Sequence, residues 1–161
     1  MGLDMYLFGI EKDTTNLGEK TRGKWQEVCY WRKANAIHKW FRDKFIKEQD
    51  PWGYYEVSED DIQGLLLICK MLRHLKDHPD DSVLQYIPTK WFDFVEEQTY
   101  WEMEPADLLA NVILPPDNMG CFFGSGIVDD WYWENIDDTI KQLTRVLEKG
   151  NYHKFFYVAS W

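Results

Sequence analysis

The chain has 161 residues, the usual size of one domain, and a formal net charge of -10 at neutral pH. That charge argues against general affinity for nucleic acid, because phosphate backbones are bound by clustered lysine and arginine. We expect a cytoplasmic protein with no membrane partner, since the sequence shows neither a secretory signal nor a long apolar run. Its three cysteines are odd in number and far apart, which predicts small buried hydrophobic side chains and no disulfide framework.

The first half of the chain predicts two strands and two helices. A short aromatic strand is expected at residues 5–10 and another at 54–57. Between them, after a polar loop with glycine breakers, apolar spacing predicts a helix over residues 31–47. Ser58, followed by an aspartate three residues later, resembles a capping box and begins the second helix. This helix should end before Pro79.

The second half is less regular. Residues 76–105 are acidic and aromatic without clear periodicity, and we interpret them as a lid or insertion. A short helix is predicted around residues 107–111 and a strand at 121–124. An apolar stripe then indicates a last helix that ends at Lys149-Gly150, and residues 155–158 form the final strand.

These elements indicate an α+β fold class. Strands and helices do not alternate in the regular way that builds a parallel sheet. Neither an internal repeat nor a low-complexity linker divides the chain. We therefore predict a single domain over residues 1–161, with a small, mainly antiparallel sheet packed with three to four helices.

Charge is distributed unevenly along the chain. Residues 12–47 hold ten basic and four acidic side chains, a balance of +6, whereas the rest of the chain carries -16. Such asymmetry favours attraction of a small anion, or of an acidic patch on a partner, to one region. The alternative is that a basic helix packs beside acidic elements of its own fold.

Polar side chains lie at the edge of the first predicted helix's buried stripe. If residues 31–47 are helical, then Trp31, Asn35, His38 and Arg42 form one line along it. Buried amides and imidazoles are costly unless their hydrogen bonds are made. Either a ligand satisfies them or they bond internally, to neighbouring backbone or to acids of the chain.

The ligand alternative predicts a pocket for a small anionic, nucleotide-like molecule. Trp31 would supply an aromatic wall, and Asn35 the paired donor and acceptor that read a base edge. Arg42, with Lys39 or Lys33, would hold a phosphate or carboxylate, and His38 could donate to the same anion.

Two later segments complete the predicted pocket. Phe123, Gly124 and Ser125 are predicted to face the ligand, since glycine allows the backbone N–H groups of residues 124–126 to point at an anion. A turn that leaves a strand explains these residues equally well. Trp131 is a candidate for a second aromatic wall. It would share a face with Trp133 if the segment is extended, and we expect at least one of the two to belong to the core. The neighbouring acids at 129–130 are interpreted as loop and cap residues.

Metal and cofactor chemistry is weakly indicated. His74 and His78 stand four residues apart, a spacing at which two imidazoles can share a metal, but the helix lacks the glutamate of a zinc-protease motif. No nucleophile elbow, phosphate-binding loop or dinucleotide fingerprint occurs. We therefore predict no metal, no cofactor and no catalytic residue.

Five stretches carry a resemblance to a known family. They are GLDMYL at 2–7, WRKANAIHKWF at 31–41, YEVS at 55–58, FFGS at 122–125 and DDWYWENIDDTI at 129–140. Together they resemble a family of small uncharacterised proteins of bacteriophages and prophages. The resemblance implies a virus-encoded accessory protein made in a bacterial cytoplasm and, by analogy, a role against host defence. It carries over no catalytic residue.

Three functions remain open at this point. The first is a non-enzymatic binder that sequesters a small anionic, nucleotide-derived ligand such as a host defence signal, with a homo-oligomer as one way to close its pocket. The second is an inhibitor whose acidic surface binds a host defence or nucleic-acid-binding protein. The third is a nucleotide-modifying enzyme with His38 as acid or base. The acidic groups of the second hypothesis are Glu59-Asp60-Asp61, Asp80-Asp81, Glu96-Glu97 and Asp137-Asp138.

Overall fold

The computed structural model describes residues 2–12, 25–46, 53–86, 103–118 and 120–160. Within these ranges the chain forms four strands, four α-helices and two short 3-10 helices. The strands and α-helices, in chain order, are β1 (Asp4–Glu11), β2 (Trp25–Arg32), α1 (Asn35–Phe45), β3 (Tyr55–Val57), α2 (Glu59–Asp77), α3 (Pro105–Ile113), α4 (Asp130–Lys149) and β4 (Tyr152–Ser160). The 3-10 helices are Ser82–Tyr86 and Cys121–Phe123.

The four strands form one antiparallel sheet in the order β2-β1-β4-β3. The two terminal strands β1 and β4 are therefore central, and β2 and β3 are the edges. The predicted α+β class, with an antiparallel sheet and four helices, is confirmed. Across the described ranges, no helix combines the length and apolar character that a bilayer span needs.

One hydrophobic core lies between the sheet and the helices. Alternate residues of the central strands, such as Leu7 and Tyr157, face it together with Trp31 and Phe41. The rings of Phe41 and Tyr157 stack with centroids 4.0 Å apart, which fastens α1 to the middle of the sheet. Helices α2, α3 and α4 complete the core with aliphatic side chains such as Leu72, Leu109 and Ile136.

The opposite face of the sheet carries an aromatic cluster. Trp25 lies parallel to Phe156, with ring centroids 4.6 Å apart, and also contacts Phe8 and Tyr54. These four aromatic rings cover part of the second face.

The segment around Trp31 differs from the prediction. Residues 25–32 form edge strand β2, so Trp31 is not on the first helix, which begins only at Asn35. Lys33 has a left-handed backbone conformation, with φ of 56°, and this reversal separates the strand from the helix. Trp31 also fits the helical spacing of α1, so the spacing of apolar residues gave no sign that the chain reverses at Lys33.

A second prediction is wrong at residues 121–124. Cys121–Phe123 is a 3-10 turn instead of a strand, between Gly120 and Gly124, which both have positive φ. Such backbone angles cannot continue a strand ladder.

Several boundaries agree with the prediction. Ser58 and Asp61 form the capping box of α2, which ends at Asp77. Gly150 closes α4 in the left-handed conformation. Most of the predicted lid, residues 87–102, lies outside the described residues, as do the loop at 13–24 and the turn at 50–52, so the lid stays a prediction.

Edge strand β2 is protected by a side chain of α4. The Gln142 amide accepts a hydrogen bond from the Tyr30 backbone N–H and donates one to the Tyr30 carbonyl, both at 2.8 Å. The same amide donates to Asp138 at 2.7 Å. Gln142 therefore satisfies edge groups that would otherwise be open to another strand.

We expect Gln142→Leu to lower the free energy of unfolding by about 1–3 kcal/mol, because it leaves the Tyr30 backbone groups unsatisfied. Gln142→Glu keeps an acceptor for the Tyr30 N–H but places a carboxylate against the carbonyl, so it should also destabilise. Urea unfolding of both variants checks this, and midpoints equal to the wild type would contradict the role given to Gln142.

Candidate functional site

The structure brings Asn35 to the 123–125 turn, and the Asn35 side chain forms a hydrogen bond with the backbone of that turn. Its amide nitrogen donates to the Ser125 carbonyl at 2.8 Å, and its oxygen accepts from the Asp117 N–H at 3.3 Å. Asn35 is buried, so this amide is a clamp between α1 and two loops. The Asn35 side chain thus bonds backbone groups of the protein, as the alternative without a ligand predicted. It does not bond the acids at 129–130.

Gly124 fits tightly into the same junction. A Cβ atom at this position would lie 2.4 Å from the Lys33 carbonyl oxygen and 3.3 Å from the Asn35 amide nitrogen. Its φ of 107° is a further restriction to glycine. The turn is therefore fitted to the β2–α1 reversal and presents little space for a ligand there, where the cavity measures about 10 Å³, room for one water.

His38 lies in the core. Its exposed fraction is zero, and its Nδ1 is 2.7 Å from the hydroxyl oxygen of Tyr157. Burial, reinforced by the positive charge of Arg42, lowers the pKa of His38 to about 4. The imidazole is thus neutral at pH 7 and is not presented to a substrate as acid or base.

The two cations of α1 that the sequence assigned to an anion are engaged with carboxylates. Arg42 pairs with Asp117, and Lys39 pairs with Asp43 on its own helix. Burial opposes the charge of Arg42, but the hydrogen bonds and negative charges of Asp117 and Asp43 together outweigh it and raise the pKa of Arg42. An anionic ligand would have to compete with these carboxylates for either cation.

Trp31 is also internal. The ring is 2% exposed, and its N–H donates to the Thr139 hydroxyl at 2.9 Å. Its indole packs 6.1 Å from the Phe41 ring centroid. Of the predicted aromatic walls, only Trp131 is open to solvent, with 44% of its surface exposed.

A cleft with a volume of about 510 Å³ lies between β2 and α4. We call it the β2–α4 cleft. Three aromatic and three cationic side chains line it: Tyr30, Trp31, Trp131, Arg32, Lys141 and Arg145. Its remaining lining is acidic or amide, from Glu134, Asn135, Asp138 and Gln142.

Local structure explains why these side chains converge. Along α4 the polar lining residues recur every three or four positions, beside the apolar stripe that holds the helix on the sheet. On β2 the side chain of Tyr30 points away from the core, and its hydroxyl donates to Asp4 at 2.6 Å. This hydrogen bond raises the pKa of Tyr30 and holds the phenol neutral.

The cleft is locally basic although the protein is acidic. Three cations face two carboxylates there, and one of these, Asp138, accepts from Gln142. Arg145 donates to the Val28 carbonyl at 3.3 Å, while Arg32 and Lys141 form no ion pair within the described ranges. Two cationic heads therefore remain available to an anion.

A second groove lies between α1 and α3, with a volume of about 360 Å³. We call it the α1–α3 groove; Lys39, Trp40, Lys44, Ile113, Leu114 and Pro115 are among its lining residues. Its two lysines are paired with Asp43 and Asp61. The groove thus offers apolar surface but few uncommitted charges.

The other residues considered for metal binding or as loop acids make contacts within the protein. His74 lies 3.0 Å from Asp81, and its ring stacks on His78. In the part of the chain that the structure describes, no group of three or more His, Cys, Asp or Glu is arranged to hold a metal. Asp129 caps α4 by accepting from the Tyr132 N–H, which confirms its interpretation as a cap residue.

The acidic groups proposed as a mimic of nucleic acid are partly neutralised. Asp61 pairs with Lys44, Asp81 with His74, and Asp137 with Arg73. The pair at 96–97 lies outside the described residues, and the inhibitor hypothesis stays a prediction.

Two cysteines are small buried side chains, as predicted. Burial raises the pKa of both Cys29 and Cys69 to about 12, so neither thiol ionises near neutral pH. The Cys121 side chain is outside the described part.

Of the ten residues that line the β2–α4 cleft, sequence reasoning assigned only Trp31 and Trp131 to a ligand pocket. It missed the other eight: Tyr30, Arg32, Glu134, Asn135, Asp138, Lys141, Gln142 and Arg145. The polar spacing on α4 was a usable signal, because it marks one helical face. The position of β2 beside that face was not readable, since the two segments are about a hundred residues apart.

Comparison with protein families, curated proteins and solved structures finds no match to this chain.

Proposed function

We propose that this protein is a non-enzymatic binder of a small anionic, nucleotide-like ligand and that the ligand lies in the β2–α4 cleft. The observation that carries the proposal is a cleft of about 510 Å³ lined by exposed rings and uncommitted cations. Ligand pockets for small molecules have about 300–1,000 Å³. The proposal keeps the predicted ligand class but moves the site from the face of α1 to the face of α4.

The chemistry of the lining supports a ligand with both a ring and an anionic group. Trp131, 44% exposed, offers a flat surface on which a base can stack, whereas the Tyr30 ring packs on Tyr6 with centroids 5.3 Å apart. Arg32 and Lys141 supply charge for a phosphate, and the Asn135 amide can pair with a base edge. A simple sugar or an aliphatic acid would use only part of this set.

Sequestration is favoured over catalysis because the described lining contains no histidine, cysteine or serine. The Tyr30 hydroxyl is committed to Asp4, and its raised pKa makes it a poor nucleophile. Retention of the ligand requires only stacking and charge pairing.

The resemblance to phage and prophage proteins sets the biological context of the proposal. In a bacterial cytoplasm, a ligand of this class would be a nucleotide-derived signal of host defence. A virus would benefit from a protein that removes this signal from solution. That context is an expectation from resemblance alone.

The ligand class is tested by incubating the purified protein with linear and cyclic nucleotides, washing by filtration, denaturing by heat and identifying the released molecules by mass spectrometry. We expect an intact nucleotide. An empty filtrate would reject the binder, and a product of altered mass would replace it with an enzyme.

The site is tested by a matched pair of substitutions on α4. We expect Lys141→Glu to weaken nucleotide binding at least about tenfold, because a hydrogen bond to a charged group contributes about 1.5–3 kcal/mol. Lys149→Glu makes the same charge change on the same helix, but Lys149 lies over the Tyr152 ring and does not line the cleft. Titration calorimetry should show near wild-type affinity for this control, and equal losses in both variants would contradict the site.

A further inference from the structure

The face of α4 that lines the β2–α4 cleft changes in chemical character from one turn to the next. Trp131 comes first, Glu134 and Asn135 follow one turn later, and Asp138 and Lys141 lie on the two turns after that. Residues three or four positions apart are neighbours on a helix surface, so these five side chains form a continuous row. A ligand that lies along α4 therefore meets an aromatic ring, a carboxylate beside an amide, a second carboxylate and a cation, in that order.

The Trp131 end of this row has the polar groups that can read the edge of a base. Because a helix advances by about 100° per residue, Glu134 and Asn135 lie on either side of Trp131 in projection and one turn beyond it. A base stacked on the exposed Trp131 ring would turn one edge towards both side chains. Neither side chain forms a hydrogen bond or an ion pair with any residue that the structure describes. Both are therefore available to a ligand.

Guanine is the base whose edge matches this pair of side chains. The Glu134 carboxylate only accepts hydrogen bonds, and guanine presents two neighbouring donors, its N1–H and its N2 amino group. The Asn135 amide nitrogen can donate to the guanine O6, which lies beside these donors. Adenine, cytosine and uracil each present a single donor group on the same edge. None of them can therefore satisfy both oxygens of the carboxylate.

The next two turns fit the rest of a nucleotide. Asp138 accepts from Gln142 with its Oδ2, so its Oδ1 can accept from a ribose hydroxyl. Lys141 lies about 15 Å further along the axis than Trp131, since a helix rises about 1.5 Å per residue. Across the described ranges Lys141 has no ion-pair partner, and its ammonium group can hold a phosphate. The carboxylate between the ring and the lysine favours a sugar at that point, because it would repel a phosphate.

We propose that the ligand of the β2–α4 cleft is a guanine nucleotide that lies along α4, with its base on Trp131 and a phosphate at Lys141. Glu134 sets the specificity for the base, and Asp138 accepts a hydrogen bond from the ribose. This assignment rests on the proposed function, whose ligand class it narrows to one base.

Base specificity is tested by titration calorimetry of the full chain with GDP, ADP and IDP, which share one sugar and the same phosphates. We expect GDP to bind at least about tenfold more tightly than ADP or IDP, because each of these lacks a donor for the charged Glu134 carboxylate. Equal affinities would overturn the guanine assignment and leave the proposed binder standing. Absence of binding by all three would also overturn it, and the wider nucleotide panel of the filtration assay then decides whether the binder itself stands.

The role of Glu134 is tested by Glu134→Gln. The carboxamide keeps an acceptor for the N1–H but turns a donor towards the N2 amino group, so the affinity for GDP should fall at least about tenfold. The same variant should gain affinity for xanthosine diphosphate, whose 2-oxo group accepts from that donor. Glu148→Gln makes the same change at an exposed position of α4 outside the cleft and should bind both as the wild type does. A Glu134→Gln protein that keeps the wild-type preference for GDP would reject the assignment.

Discussion

Replacing Trp31 with alanine should lower the free energy of unfolding by about 3–5 kcal/mol, one of the largest effects that a single substitution can have here. The indole is almost fully buried between β2 and α4, and it donates to Thr139. Alanine would leave a cavity beside Phe41 and remove that hydrogen bond. Denaturant unfolding followed by circular dichroism measures the loss.

Trp131→Ala is the matched control for Trp31→Ala, because it removes the same side chain from an exposed position. We expect its stability to stay within about 0.5 kcal/mol of the wild type, as for most surface substitutions. Its affinity for a nucleotide should nevertheless fall, since it loses the stacking surface. If Trp31→Ala were as stable as Trp131→Ala, the internal position assigned to Trp31 would be wrong.

Acidification between pH 6.5 and pH 4 should destabilise the fold through His38. The imidazole has a pKa of about 4 when folded and 6.5 when freely solvated. Between these values the unfolded chain binds a proton that the folded chain does not, so stability falls as pH falls through this window. The full difference corresponds to about 3 kcal/mol.

His38→Gln should flatten this pH dependence while lowering stability at neutral pH, because glutamine does not titrate and fits the site less well. His153→Gln removes an exposed imidazole on β4 and should keep the wild-type slope. Urea midpoints at a series of pH values measure both. A slope in His38→Gln as steep as in the wild type would assign the acid sensitivity to other groups.

Local signals predicted the parts of the fold that depend on local sequence. The capping box at Ser58 and the closing Gly150 are satisfied by neighbouring residues, so they could be read directly. Strand β2 was not recognised, because Trp31 also fits the helical spacing of α1. Only pairing with β1 and the reversal at Lys33 distinguish the two assignments.

The polar face of α1 shows why the site was harder to predict than the fold. Helical spacing correctly showed that Asn35 and His38 are directed inward. It could not show what satisfies them, since Ser125 and Tyr157 lie about 90 and 119 positions away in sequence. A ligand could accept the same hydrogen bond from the Asn35 amide as a distant backbone carbonyl does. The sequence therefore left a ligand pocket and an internal contact equally open.

Photocrosslinking tests most directly whether the ligand lies in the β2–α4 cleft. The purified protein would be irradiated with a photoactivatable nucleotide, and the modified residues identified by peptide mass spectrometry. We predict crosslinks at the β2–α4 cleft, on Tyr30, Trp131 or Lys141, that an excess of unmodified nucleotide suppresses. Crosslinks confined to the α1–α3 groove, or none that a competitor suppresses, would contradict a ligand site in the β2–α4 cleft.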